Sequence, residues 1–356
     1  MNNHIRFEDV VKRFEEQKMP YEVLELGNDW RLVVTKYGAK VLGPFKGNEE
    51  SLSWINQVFA DKEAFGNFTE EKEWNLGGDR FWIAPEHPLF VKKRQEFFDS
   101  YCVQAALDPG DYTLSKQEDV VRTEQDVDME VYESDIDRIQ FHVARQVSAL
   151  ENPLVGFWQT KEIEVDFCGY EQEVTLEGIN GLGELNLEPW NLLQVNPGGK
   201  IIVPFFGEFD FVNYYEPVRA GVMKQHDNFV EVEVDGIYRF KIAFQALHTF
   251  GRAIYVNKNE SGYYLIYKQY YNDSANPYCC DPWNKPEEKG CSLYIYNDDG
   301  SNGGYAEFEN SGLTIGKGTN KNKTTANVSH MFFAGDKEAL EKVIKILLGI
   351  TYKVDF

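Results

Sequence analysis

From Trp30 onwards apolar and polar positions alternate in short runs whose period is two, the signature of half-buried strands rather than helices. Trp30 to Phe45 reads WRLVVTKYGAKVLGPF, two short strands about Tyr37-Gly38. Lys161 to Ile179 alternates strongly over KEIEVDFCGYEQEVTLEGI. Three further runs turn at glycine-containing signals and read as hairpins: Leu193–Phe206 about Asn196-Pro197-Gly198-Gly199, Phe229–Phe244 about Asp235-Gly236, and Ala253–Tyr271 about Glu260-Ser261-Gly262. The Asp-Gly pair suits a type I′ turn, and Val232, Val234, Phe240, Ile242 and Phe244 are expected to face apolar layers. Such runs amount to roughly fifteen strands. That is too many for one small barrel and natural for two large stacked sheets.

Helical periodicity is confined to three places. Ile5, Phe7, Val10, Val11 and Phe14 form an amphipathic stripe that predicts a helix over about 5–17. Glu49–Val58, with Trp54, is a short candidate. KEALEKVIKILL after Asp336 carries a stripe at Leu340, Val343, Ile344 and Leu347 and stops at Gly349. It predicts a helix over about 336–348, capped by Asp336 and packed outside the sheets. The acidic stretch Gln117–Asp137 has valines threaded through it and reads as exposed edge strands rather than a tether. With no linker and no internal repeat, residues 1–356 are expected to form one domain, all-β and antiparallel, with a few peripheral helices.

Charge narrows the function classes. The chain has 58 acidic and 36 basic residues, a formal charge of −22. Such a surface repels phosphate backbones and anionic lipid, so nucleic-acid and membrane partners are not expected. Five cysteines, Cys102, Cys168, Cys279, Cys280 and Cys291, form no CxxC pair and have no matching histidine spacing. A zinc site is therefore not expected, and reduced thiols in a cytoplasmic protein are the simpler account. No signal peptide and no apolar run of membrane-spanning length stands in the sequence. No cofactor is implied, and signatures of serine hydrolases, phosphate loops and zinc proteases are missing.

Four segments could carry chemistry. NLGGDRFWIAPEHPLF, from Asn75 to Phe90, sets Arg80, Trp82, Glu86 and His87 within eight positions. An arginine beside aromatic rings can offer a planar donor fork to sugar hydroxyls while a ring covers the apolar face of the sugar. The alternative is that Arg80 pairs with Glu86 and Trp82 fills core. EPWNLLQVNPGGKIIVP, from Glu188 to Pro204, offers Trp190 as a stacking plate and Asn191 and Gln194 as neutral hydrogen-bonding groups, or else a core tryptophan. In NDDGSNGGYAEFENSGLTIG, from Asn297 to Gly316, Glu307 and Glu309 lie two apart and share one face of a strand, with Ala306 and Phe308 on the other. Two such carboxylates can raise the pKa of one of them to that of a general base; a solvated face would look the same. The Asn297-Asp298-Asp299-Gly300 run resembles part of a calcium loop without its spacing, and reads as a turn. HTFGRAIY and YCCDPW hold Arg252 and Asp281, an ion pair or part of a pocket lining.

GGDRFWIAPE, PWNLLQVNPGGKIIVP, the YCCDPW region and YAEFENSGLTIGKG together resemble the galactose mutarotase-like superfamily, over approximately Arg31 to Gly349. The resemblance implies a β-supersandwich with a concave sugar-binding face, and a small-molecule carbohydrate as partner. It implies a substrate-binding role for Arg80 and a catalytic role for Glu309, with Trp82, Trp190, Asn191, Gln194, Glu307 and Arg252 as further binding candidates. One departure stands out. Aldose 1-epimerases carry a catalytic histidine in an Asn-His-x-x-x-Asn-Leu motif near mid-chain, and the corresponding region here is EPWNLLQV, with no histidine. Mutarotation needs a base at the anomeric hydroxyl and an acid at the ring oxygen. His87, His142, His226, His248 and His330 are the available substitutes, and only His87 adjoins a signature segment. An aldose 1-epimerase or related sugar isomerase, with Glu309 as base and His87 as a candidate for the unidentified acid, and a carbohydrate-binding or regulatory protein that has lost the acid are the two main expectations; a structural subunit of an assembly is the third. Arg80→Ala is expected to weaken sugar binding and leave the fold intact. The sequence leaves the oligomeric state open.

Overall fold

The computed structural model describes residues 5–156, 163–183, 185–215, 217–282, 285 and 287–356. Trp283 and the Lys161 end of the alternating run lie outside the described residues. Within them the chain forms two ten-stranded sheets, and every strand pairing is antiparallel. The first sheet runs, in spatial order, Tyr21–Gly27, Trp30–Thr35, Val41–Lys46, Asp79–Ala84, Asn186–Val195, Ala306–Ser311, Cys291–Asn297, Phe240–Gln245 and Val212–Asn213. A short tenth strand, Ile315–Gly316, pairs with Asn186–Val195. The second sheet runs Met223–Gln225, Phe229–Val234, Gly199–Pro204, Arg252–Asn259, Gly262–Tyr270, Lys323–Gly335, Asp166–Asn180, Arg138–Ala149, Val120–Glu130 and Thr113–Gln117. In Val120–Glu130, Val121, Val127 and Met129 turn inward and the acidic residues outward, which is how a strongly acidic segment still builds a strand.

The inner faces of the two sheets meet over one apolar layer. Leu193, Phe308, Ile295, Ile242 and Phe244 from the first sheet pack with Ile201, Val232, Val234, Tyr255, Ile266 and Phe332 from the second, and Phe240 joins them. The five residues expected to face apolar layers all lie here. Arg252–Asn259 and Gly262–Tyr270 pair as the expected hairpin. The other two expected hairpins are not hairpins. Phe229–Val234 belongs to the second sheet and Phe240–Gln245 to the first, so Asp235-Gly236 is a bridge between layers. Asn297 enforces the crossing: its side chain donates to Asp235 Oδ1 and to the Tyr238 carbonyl, both at 2.8 Å. The Asn196–Gly198 turn likewise passes from the first sheet to the second.

Helices occupy Phe7–Gln17 and Lys337–Leu348. The second begins where the Asp336 carboxylate accepts from Ala339 N–H at 2.7 Å and ends at Gly349, whose φ of 73° suits glycine. It covers the outer face of the second sheet with Leu340, Val343 and Ile344. Glu49–Val58 is not a helix: Ser53 and Ile55 make strand-like bridges to Val195 and Gly77, and only Gln57–Ala60 coils, as a 3-10 turn. The helix in that neighbourhood is Lys62–Glu70, capped by Asp61. All five cysteines are free. No helix among the described residues is long and apolar enough to cross a membrane.

Candidate functional site

The outer face of the first sheet is floored by alternate residues of its central strands. Arg80, Leu192 and Glu309 stand side by side in one row of the ladder, and Gln194, Glu307, Tyr296 and Lys241 in the next. Trp82 faces Trp190 one step further on. Because the side-chain period of a strand is two, each of these strands sends its intervening residues, such as Asp79, Asn191 and Phe308, to the opposite face. Segments outside the sheet roof the floor with Trp74, Phe97, Phe98, Tyr101, Tyr215 and Tyr305. The result is a cavity of about 340 Å³, at the small end of the range for ligand pockets.

Its charged groups are paired. Arg80 Nη1 lies 2.5 Å from Glu307 Oε1, and its guanidinium rests against both the Trp74 and Trp82 indoles, 4.7 and 4.2 Å from their centroids. Gln194 Nε2 donates to the same Glu307 oxygen at 3.2 Å and to Asn75 Oδ1 at 3.0 Å. Lys241 Nζ donates to Glu86 Oε2 at 3.1 Å, stands 3.5 Å from Glu309 Oε2, and lies 4.5 Å from the ring centroid of Trp190. Trp190 Nε1 donates to that same Glu309 oxygen at 2.9 Å. The other oxygen, Oε1, has no hydrogen-bond partner among the described residues. Burial pushes the Glu309 carboxyl up to about 7, against the pull of Lys241 and with the help of Glu307 and Glu86. For Lys241, burial alone would lower the pKa, but Glu309 and Glu86 outweigh it and hold the ammonium charged.

At the mouth, Arg239 Nη2 donates to Asp299 Oδ1 at 2.9 Å and to Ser301 Oγ at 2.5 Å. The buried Asp298 carboxylate accepts the backbone N–H groups of Gly300, Asn302 and Gly304 at 3.0, 3.1 and 3.0 Å. Its oxygens are therefore spent on a turn that presents Asn302 and Tyr305 to the cavity. Among the described residues no group of three or more His, Cys, Asp or Glu is placed to hold a metal ion.

Of the residues singled out in the sequence, Arg80, Trp82, Trp190, Glu307 and Glu309 line this one cavity. Gln194 stands behind Glu307, and Asn191 is on the inner side, where its Nδ2 donates to Asp79 Oδ1 at 2.5 Å. His87 is not in the lining. Its Nε2 meets Glu133 Oε2 at 3.2 Å and its Nδ1 meets Arg94 Nη1 at 3.2 Å, while the preceding Glu86 takes the inward position. Arg252 donates to the Leu347 carbonyl at 3.2 Å, beside the C-terminal helix. Asp281 pairs with Arg94, not with Arg252. The alternative pairing of Arg80 with Glu86 does not occur either, since each takes a different partner. Lys241, Trp74, Tyr101, Tyr215, Tyr296, Tyr305 and Arg239 went unmarked. For Lys241 a signal existed: a cation set between Phe240 and Ile242 inside an otherwise apolar run.

Arg80→Ala removes a buried cation and leaves Glu307 with Gln194 as its one remaining side-chain donor described here. The variant is expected to lose about 3 kcal/mol of unfolding free energy, measured by urea denaturation. Arg80 is only 3% exposed, so the expectation that its loss would leave the fold untouched is replaced by this one. Arg80→Lys should recover little, because a point ammonium cannot cover the two indole rings as the planar guanidinium does.

Residues 6–354 match the model of a family of unknown function, DUF6786. The chain belongs to DUF6786. No curated protein matches this DUF6786 chain in sequence. Among solved structures it is similar to YeaD of Salmonella typhimurium, a candidate mutarotase, at 11% identity and a TM-score of 0.42, over 90% of this chain and 99% of that one. It is similar also to galactose 1-epimerase from Lactobacillus acidophilus, at 11% identity and a TM-score of 0.38, over 89% and 95% of the two chains. A third is the GalM/aldose epimerase homologue from C. elegans, at 7% identity and a TM-score of 0.35, over 89% and 100%.

Proposed function

We propose that the cavity of this DUF6786 protein binds a monosaccharide-sized sugar and that Glu309 exchanges a proton with its anomeric hydroxyl, opening and reclosing the ring. The observation that carries this reading is the buried Glu309 carboxyl with Oε1 unengaged on the cavity floor, flanked by an ammonium and walled by tryptophans. A carboxyl poised near neutrality can take the O1 proton. The C1–O5 bond then breaks with its electron pair passing to the ring oxygen, which draws a proton from the Lys241 side. Return of both protons after rotation about C1–C2 gives the other anomer. Trp82 and Trp190 supply apolar plates, and the tyrosine hydroxyls supply donors and acceptors for the remaining hydroxyls. The resemblance of GGDRFWIAPE and YAEFENSGLTIGKG to segments of the galactose mutarotase-like superfamily agrees with this.

A second reading, sugar binding without turnover, is favoured by one observation. The cation beside Glu309 is held charged by two carboxylates, which makes it a poor proton donor, and no histidine lines the cavity among the described residues. One experiment separates the two. Proton NMR follows the anomeric signals of freshly dissolved α-D-glucose, α-D-galactose and other aldoses, with saturation-transfer spectra recorded on the same samples. Faster equilibration with protein supports the first reading. Saturation transfer without acceleration leaves the second, and neither effect across the panel removes both.

A further inference from the structure

Behind the cavity floor, between the sheets, lies a second set of charged groups that the sugar chemistry does not use. Asp79 is its centre. Its carboxylate faces Arg145 Nη2 at 3.1 Å and accepts from Tyr170 OH, Gln172 Nε2 and Asn191 Nδ2 at 2.9, 2.7 and 2.5 Å. His330 Nδ1 stands 3.5 Å away, and burial holds that imidazole neutral by lowering its pKa to about 3. Lys268, opposite His330 in the ladder of the second sheet, is fully buried. It reaches across the sandwich, and its Nζ donates to the carbonyl of Phe308 at 2.6 Å and lies 3.5 Å from that of Asn191. Phe308 is the residue between Glu307 and Glu309, and Asn191 lies between Trp190 and Leu192.

On the cavity side buried carboxylates outnumber the cations: Arg80 and Lys241 stand against Glu86, Glu307 and Glu309, and Asp298 is buried in the adjoining turn. On the inner side the buried ions are Arg145 and Lys268 against Asp79, an excess of one positive charge if Lys268 is protonated. Lys40 and Asp108 nearby, and Arg239 and Asp299 at the mouth, pair with one another and alter neither count. Burial pulls Lys268 down to about 7, with Asp79, Glu309 and Glu307 opposing that pull. A buried ammonium among apolar side chains is expensive, and these carboxylates are what keeps it.

We infer that Lys268 is a positioning residue for the cavity carboxylates: it clamps the backbone between Glu307 and Glu309 from behind and sets a second positive charge beneath them, beyond that of Lys241. Its role in turnover rests on the reading of Glu309 given above; the charge coupling does not. The test uses the full chain without sugar. Carboxyl-13C-labelled glutamate is titrated by NMR, with the Glu309 signal assigned by its loss in Glu309→Gln. In Lys268→Met the Glu309 midpoint should rise by about one pH unit or more, because a nearby positive charge that favours the carboxylate is gone. A folded Lys268→Met whose Glu309 signal titrates where the parent's does overturns the inference. Should that variant not fold, the reciprocal measurement decides. In Glu309→Gln, with 13Cε-labelled lysine, the Lys268 midpoint should fall, and an unmoved midpoint overturns the inference equally. An unaccelerated anomer assay in the parent protein would remove the proposed reaction and leave these titrations as they are.

Discussion

Replacing Asp79 by alanine is expected to lower the unfolding free energy by about 3–5 kcal/mol, measured by urea denaturation at neutral pH. The carboxylate is fully buried and is the common acceptor for Tyr170, Gln172 and Asn191 as well as the partner of Arg145. Its removal strands a guanidinium between two sheets and three polar side chains with it. Burial alone would raise the Asp79 pKa, but Arg145, Lys268 and the Tyr170 hydroxyl together hold it below its ordinary value of 3.8. For a depressed carboxyl the stabilisation is full above that ordinary value and fades as pH falls through the folded one. The gap between parent and variant should therefore shrink in acid. A double variant, Asp79→Leu with Arg145→Met, should be less destabilised than Asp79→Leu alone, since the guanidinium is no longer stranded and Lys268, lowered to about 7 by burial, can shed its proton. A Asp79→Ala protein as stable as the parent would mean that the interior network contributes nothing.

Glu309→Gln is expected to reduce anomer interconversion by about 10²–10⁴-fold while sugar binding persists within a few-fold. The amide keeps the shape of the carboxyl and its oxygen can still accept from Trp190 Nε1, yet it cannot take the anomeric proton. In the parent the ionised form is the base. With the carboxyl pushed up to about 7, turnover should rise as pH increases through neutrality and level off above it. Lys241, held charged by its two carboxylates, should contribute no second inflection over that range. Anomer equilibration rates from pH 5 to 9, with binding measured in parallel, check all three statements. Equal loss of binding and turnover would instead make Glu309 a binding residue.

Strand content, the two stacked sheets and the shared face of Glu307 and Glu309 were legible because each depends on period two, which a short window contains. Which sheet a strand joins is not written in such a window. FVEVEV and FKIAF alternate alike on either side of Asp235-Gly236, and only Asn297, some sixty residues on, fixes the crossing between layers. The same limit explains the site. Arg80 and Glu309 could be marked by segment, but their ion pairs could not, because Glu307 meets Arg80 and Lys241 meets Glu309 only through strand order. His87 drew attention by adjacency to Glu86, yet consecutive residues there point to different surroundings. The roof was hidden for another reason: Phe97, Phe98 and Tyr101 lie in a stretch with no regular period, so no pattern assigns them a face.

The strand Lys323–Gly335 pairs with Gly262–Tyr270 on one side and Asp166–Asn180 on the other, and it is the last strand of either sheet in chain order. During synthesis the second sheet must therefore wait as two separate blocks, each with an open edge, until this segment emerges from the ribosome and bridges them. The cavity floor is assembled as late, since Ala306–Ser311 sits at its centre. Loop-closure entropy must be met before these distant pairings reward it, which places the chain among slow folders with a long-lived nascent state. A ribosome-bound chain stalled before residue 306 would carry Arg80 and Trp190 on strands whose central partner does not yet exist. Folding of the site and of the scaffold is then one event, driven by the final third of the chain, and chaperones that shield sheet edges would be needed most in that interval.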